Sequence, residues 1–116
     1  MPRESKGNEV KSRHAGTILW IYRAGDEDRG EVTEALFRSA REIAIDCRCN
    51  EYLYTMVLKS SDGVEFTGEC RGRCDGAAWK PTVGFKLWSN PKGSLLFGEW
   101  IEEGDESYCV IELYPK

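Results

Sequence analysis

Glu42-Ile43-Ala44-Ile45-Asp46-Cys47-Arg48-Cys49 alternates without a break. Ile43, Ile45, Cys47 and Cys49 fall on one side, and Glu42, Ala44, Asp46 and Arg48 on the other. Side chains repeat every two residues along a strand, so this segment buries one face and wets the other. After Asn50 the chain continues as Tyr52-Leu53-Tyr54-Thr55-Met56-Val57-Leu58, rich in aromatic and β-branched residues. It reverses at Ser60-Ser61-Asp62-Gly63, where Asp-Gly supplies residues that tolerate positive φ, and returns as Val64-Glu65-Phe66-Thr67-Gly68-Glu69-Cys70. The stretch 42–70 is therefore a strand followed by a hairpin, and it sets the pattern for the chain on either side.

Upstream, Gly16 to Arg23 is a strand of β-branched and aromatic residues, and Ala24 to Gly30 an acidic loop. Its acids lack the alternating oxygen ligands and closing Glu of an EF-hand, so it reads as a solvated turn rather than a calcium loop. Residues 31–43 admit two readings. Val32, Leu36, Phe37, Ala40 and Ile43 have helical spacing, which would give an α+β domain with one helix packed on an antiparallel sheet. The alternation from Glu42 runs straight on from this segment, which favours two strands, Glu31–Arg38 and Glu42–Cys49, with a turn near Ser39-Ala40. Met1 to Ala15 is polar, carries the sole histidine, His14, and reads as a disordered tail before a single β-rich domain at 16–116.

Downstream, 71–76 reads as a Gly-rich loop, and Arg71 and Arg73 as solubilising cations, since no phosphate-loop ending follows. Strands follow at 82–88, 94–102 and 107–114, separated by Ser89-Asn90-Pro91-Lys92-Gly93 and Glu103-Gly104-Asp105-Glu106. Phe66-Thr67-Gly68-Glu69 and Phe97-Gly98-Glu99 echo one another, and Gly inside a strand marks a bulge or a close approach. About eight short strands joined by turns describe an all-β, antiparallel up-and-down meander forming a small barrel or sandwich. The strand plan resembles the general architecture of lipocalin-type and avidin-type barrels. No diagnostic motif of either family is present, so no functional residue is carried over.

The chain has 116 residues, 41% hydrophobic and 31% charged, enough for one core. A net charge of -4 offers no whole-molecule attraction for nucleic acid. No apolar run reaches the roughly 18 residues of a membrane span, and the N-terminus shows no signal-peptide pattern. The expectation is a cytoplasmic protein with no cofactor.

Three classes of function remain. A ligand-binding barrel would face Trp20, Tyr54, Phe66, Phe85 and Trp100 into its interior, where the same rings could equally fill the core. A protein-interaction module would use Trp88, Tyr52 and Tyr114 on the opposite faces, and the two-sided apolar strand 52–58 hints at a partner or a homo-oligomer. A hydrolase-like enzyme would need carboxylates converging inside the barrel, for which Glu34 and Glu99 stand on otherwise apolar alternations. With no histidine expected in the core, catalysis ranks last. Cys47, Cys49, Cys70 and Cys74 bracket the central hairpin and raise a zinc-stabilised alternative, although Cys-x-Cys is an uncommon spacing and buried free cysteines account for the same pattern.

Overall fold

The computed structural model describes residues 12–116. Among the described residues nine strands follow one another: β1 (Ser12–Tyr22), β2 (Glu27–Ser39), β3 (Glu42–Cys49), β4 (Tyr52–Lys59), β5 (Glu65–Cys74), β6 (Ala77–Trp79), β7 (Thr82–Asn90), β8 (Gly93–Glu102) and β9 (Asp105–Pro115). Every pairing is antiparallel, in the order β4-β3-β2-β1-β9-β8-β7-β5, and β4 pairs with β5 to close the ring. Eight strands thus form a closed up-and-down barrel, and the short β6 folds back on the end of β5. Closure removes the free edges that an open sheet would expose.

The strand reading of 31–43 holds, and the reason for its helix-like spacing is visible. Val32 and Ala35 are both buried, three residues apart, because the β2–β3 register shifts between Val32 and Glu34. A second shift lies between Phe37 and Ser39. An extra residue at a bulge moves the next inward position along by one and breaks the period of two.

Three boundaries differ from the expectation. β1 begins at Ser12 rather than Gly16, and it buries His14 against Phe37, with ring centroids 4.8 Å apart. The remainder of the expected tail, residues 1–11, lies outside the described residues. The acidic loop is shorter than 24–30, because Glu27 and Asp28 already pair with Ile21 and Trp20. The expected loop at 71–76 is mostly strand: β5 runs through Cys74, and Arg71 and Arg73 face outward from it.

The barrel interior is filled by Ile18, Ile43, Ile45, Met56, Leu58, Phe66, Phe85, Leu96, Ile111 and Leu113. Cys47, Cys70 and Cys109 share this core, and all five cysteines are free thiols. One end of the barrel is capped by the Ser60–Gly63 and Asn90–Gly93 turns. The other end is ringed by the β1–β2, β3–β4, β5–β6 and β8–β9 turns, and it is here that the chemistry collects.

Candidate functional site: the barrel mouth

Two tight hairpins build the rim of this end. Cys74 pairs with Ala77 across Asp75-Gly76, and Glu102 with Asp105 across Glu103-Gly104. In both loops the two central residues have positive φ, 49° and 83° in the first, 53° and 87° in the second. Two positive φ values in a two-residue loop are the signature of a type I′ turn, whose twist matches that of the flanking strands. Asp and Gly suit such positions, whereas Glu at Glu103 is the unusual choice.

Behind the rim, alternation along β8 turns Leu96, Trp100 and Glu102 inward. Glu102 is the centre of the site. Its Oε2 accepts from the Tyr54 hydroxyl at 2.8 Å and from the indole Nε1–H of Trp79, and its Oε1 accepts from Trp100 Nε1–H at 2.8 Å. Three neutral donors on three strands therefore fix one carboxylate. The rings carrying these donors pack edge to face: Trp20–Trp100 at 5.3 Å, Tyr54–Trp100 at 5.2 Å and Tyr54–Trp79 at 6.3 Å, all within 6° of perpendicular. Such T-shaped contacts align ring edges with neighbouring π faces. Tyr52 continues the series against Trp79 at 5.9 Å.

Gly72 makes the arrangement sterically feasible. A Cβ there would lie 2.6 Å from Trp79 Cε2 and 2.8 Å from Tyr54 Cε1, so the bare glycine lets both rings settle over β5. The result is an open cavity of about 580 Å³ whose wall includes Trp20, Tyr22, Asp28, Tyr52, Tyr54, Trp79 and Glu102. That volume lies within the range of about 300–1,000 Å³ that accommodates small-molecule ligands. Cys49, Cys74, Asp75, Ala77 and Glu103 complete it.

Two phenols and a thiol of the mouth are held in their protonated forms. Burial, then the hydrogen bond to Glu102, pushes the Tyr54 phenol well above its usual range. Burial and the bond from Tyr22 to Asp28 Oδ2, 2.9 Å long, do the same for Tyr22. Burial, with Asp28 and Glu102 adding to it, raises the Cys49 thiol. Deeper in the barrel, burial pushes Cys70 up to about 12 and raises Cys47 and Cys109 as well.

Of the five aromatics expected to face the interior, all are buried, but they divide. Trp20 and Tyr54 line the mouth, and Trp100 lies directly behind it, only 1% exposed. Phe66 and Phe85 are cross-strand partners in the β5–β7 part of the core and do not join this cluster. Tyr22, Asp28, Trp79 and Glu102 were missed. Glu102 was findable, because it stands two residues after Trp100 and shares its face. Trp79 was not, because its place depends on β6 folding back over Gly72.

The other candidates fare differently. Glu34 and Glu99 do not converge inside the barrel: Glu34 bonds Lys116 Nζ at 2.8 Å on the outside, and Glu99 is exposed. Bulged β2 explains Glu34, since the register shift beside it rotates the alternation. The zinc arrangement is not assembled either. Cys47 and Cys70 are enclosed in the core while Cys49 and Cys74 sit at the mouth, and among the described residues no group of three or more potential ligands is placed to hold a metal. Tyr52 packs at the mouth, Trp88 and Tyr114 are exposed outside, and Tyr114 bonds Glu112. A separate depression of about 550 Å³ lies outside the barrel beside Ile101 and Tyr108, but the exposed Arg23–Glu106 pair borders it, and the hydroxyl of Ser107, the buried polar residue in its lining, already donates to the Trp100 carbonyl. Comparison with known proteins finds no matching family model, no matching curated protein and no matching solved structure.

Proposed function

We propose that this protein is a non-enzymatic binding barrel that takes a small ligand in the mouth around Glu102. The observation that carries this reading is a carboxylate fixed by three neutral donors in the wall of an open aromatic cavity. Ligand sites have this composition: mostly apolar and aromatic walls with a few placed polar groups. A binding role is favoured over a catalytic one because the Cys49 and Cys74 thiols and the Tyr22 and Tyr54 phenols in the cavity wall are all pushed upward, and a protonated thiol is a poor nucleophile. Five free thiols support a reducing, cytoplasmic setting.

The test uses the tryptophans as reporters, since three of the chain's four, Trp20, Trp79 and Trp100, belong to this cluster. A small-molecule library is screened for compounds that change tryptophan emission and raise the thermal midpoint. Hits are expected to lose both effects in Ala77→Trp, which crowds the mouth at an exposed position. Hits that bind the crowded variant equally well would place the ligand elsewhere.

One further observation favours a second reading, self-association. Phe97 and Tyr108 stack at 6.2 Å on the outer face of β8 and β9, 41% and 57% exposed, with Trp88 and Ile101 nearby. Exposed aromatics of this kind are typical of interfaces. If a second copy covers them, Phe97→Glu shifts the native mass from dimer to monomer; an unchanged monomer in both proteins removes this reading.

A further inference from the structure

We infer that the ligand of the barrel mouth is a small protonated amine, its ammonium bonded to Glu102 Oε1 and its body held among the perpendicular rings. The inference rests on the ligand-binding reading above and adds the chemical class.

Charge is the first reason. Among the described residues, the cavity is lined by Asp28, Asp75, Glu102 and Glu103, and by no lysine, arginine or histidine. Among the described residues, none of these four carboxylates takes part in an ion pair, although Glu27, Glu31, Glu34, Glu42 and Glu106 each have a cation within 4 Å. The donors that fix Glu102 are phenol and indole groups, which orient its negative charge without neutralising it. An anion entering here meets repulsion from four sides, and a cation meets attraction strengthened by the partly buried surroundings.

Hydrogen-bonding capacity is the second. A carboxylate offers about four lone-pair sites, two on each oxygen. Oε2 uses two, for Tyr54 and Trp79, while Oε1 uses one, for Trp100. One acceptor site remains on Oε1, and it calls for a donor, which an amine with at least one N–H supplies.

The rings are the third. Tyr52, Tyr54 and Trp79 meet at 83° and 84°, so the wall offers π faces in more than one direction. The negative face of an aromatic ring attracts a cation, and rings set at right angles around a cavity are the arrangement that recognises organic ammonium groups. Desolvation of an amine in the mouth is thus offset by the carboxylate and the rings together.

The test compares three compounds of nearly the same shape at pH 7: 2-phenylethylamine, 2-phenylethanol and phenylacetate, followed by tryptophan fluorescence and calorimetry on the full chain. The amine is expected to bind at least ~10-fold more tightly than the alcohol, with no saturable binding of the carboxylate. Glu102→Gln should weaken the amine by ~10-fold or more. Glu103→Asn, at an exposed turn position where Asn tolerates the positive φ, keeps the test independent of any folding defect in the first variant. It should weaken the amine about threefold at low salt and much less at 0.5 M salt, where the Debye length falls to roughly 4 Å. If alcohol and amine bind equally, the cation inference fails while the mouth stands as a ligand site; if both variants retain the amine at full affinity, the amine binds elsewhere and the cation inference fails. If none of the three compounds binds, the amine inference falls, and the ligand-binding reading is decided by the library screen alone.

Discussion

Trp20 and Trp100 touch each other on the inner face of the barrel over the intervening β9, are almost equally buried, and differ in one respect that stability should register. Trp100 Nε1–H donates to Glu102, whereas Trp20 Nε1–H is buried with no acceptor. An unpaired buried donor costs about 1–3 kcal/mol, and a hydrogen bond to a charged group contributes about 1.5–3 kcal/mol. Both tryptophans lose similar apolar area on replacement by Phe. Trp20→Phe removes an unsatisfied group, and Trp100→Phe removes a bond on which the Glu102 charge depends. Trp100→Phe should therefore be the more destabilising by at least about 2 kcal/mol in urea unfolding, and equal losses would mean that the Glu102 bonds contribute nothing net. At this scale the sequence was half legible. Alternation set the relative face of Trp20, Tyr54 and Trp100 on their strands but not which face is inside, and it carries no information on which ring donates to which carboxylate, since Tyr54 and Trp79 reach Glu102 from separate strands.

Elements were read more fully, and the exceptions have local causes. The chain reverses at Ser60-Ser61-Asp62-Gly63 as expected, but through a wider loop than a two-residue turn, since Lys59 pairs with Thr67 and of the Asp-Gly pair only Gly63 has positive φ. Asp62 organises it, its Oδ1 accepting from the backbone N–H groups of Val64 and Glu65 and from Ser60 Oγ. Those bonds to Glu65, Val64 and Ser60 hold the Asp62 carboxyl down at about 2, from an ordinary 3.8. A folded-state value below the unfolded one means that the contribution is fully present above pH 3.8 and disappears as the pH falls through about 2. In Asp62→Asn this acid-dependent component should be absent, so its urea midpoint falls less than that of the wild type across that window. Parallel curves for the two proteins would count against the turn's role. The strand glycines also behave as their setting requires. A Cβ on Gly98 would lie 1.8 Å from the Gly84 carbonyl oxygen, although the β7–β8 register runs through unbroken, so the glycine permits a close approach rather than a bulge. Gly98→Ala must displace backbone and should cost about 1–3 kcal/mol, as overpacking does. The bulges that were hidden both lie in β2, at Thr33 and at Arg38, and the first also shifts the β1–β2 register between His14 and Gly16. A bulge replaces period two by a spacing that a sequence reader assigns to a helix or a loop.

At the scale of the whole molecule, the meander was legible because each strand pairs with its sequence neighbour, apart from the interruption by β6. Closure was not. Whether eight strands curl into one ring or split into two sheets depends on whether β1 meets β9, and that contact joins opposite ends of the sequence. The two ends of the described chain adjoin, with the Lys116 N–H bonded to the Arg13 carbonyl at 3.0 Å. In a closed ring each sequence-adjacent pairing is equivalent to the seam, so moving the chain break leaves the set of strand pairings unchanged and only transfers the long-range closing contact from β1–β9 to β7–β8. A circular permutant that links Lys116 to Ser12 through a short Gly-Ser loop and opens at Pro91-Lys92, far from the mouth, should keep the fold and a single cooperative unfolding transition. Loop-length changes cost only a few tenths to about 1 kcal/mol, so its midpoint should stay near that of the parent. Deleting β9 instead leaves β1 and β8 with unpaired edges and strips Cys109, Ile111 and Leu113 from the core, and that chain should not fold. If the permutant unfolds in two separate transitions, the strands form two semi-independent sheets rather than one ring, and the mouth, which draws on β1, β2, β4, β6 and β8 together, loses the rigidity that holds Glu102 among its donors.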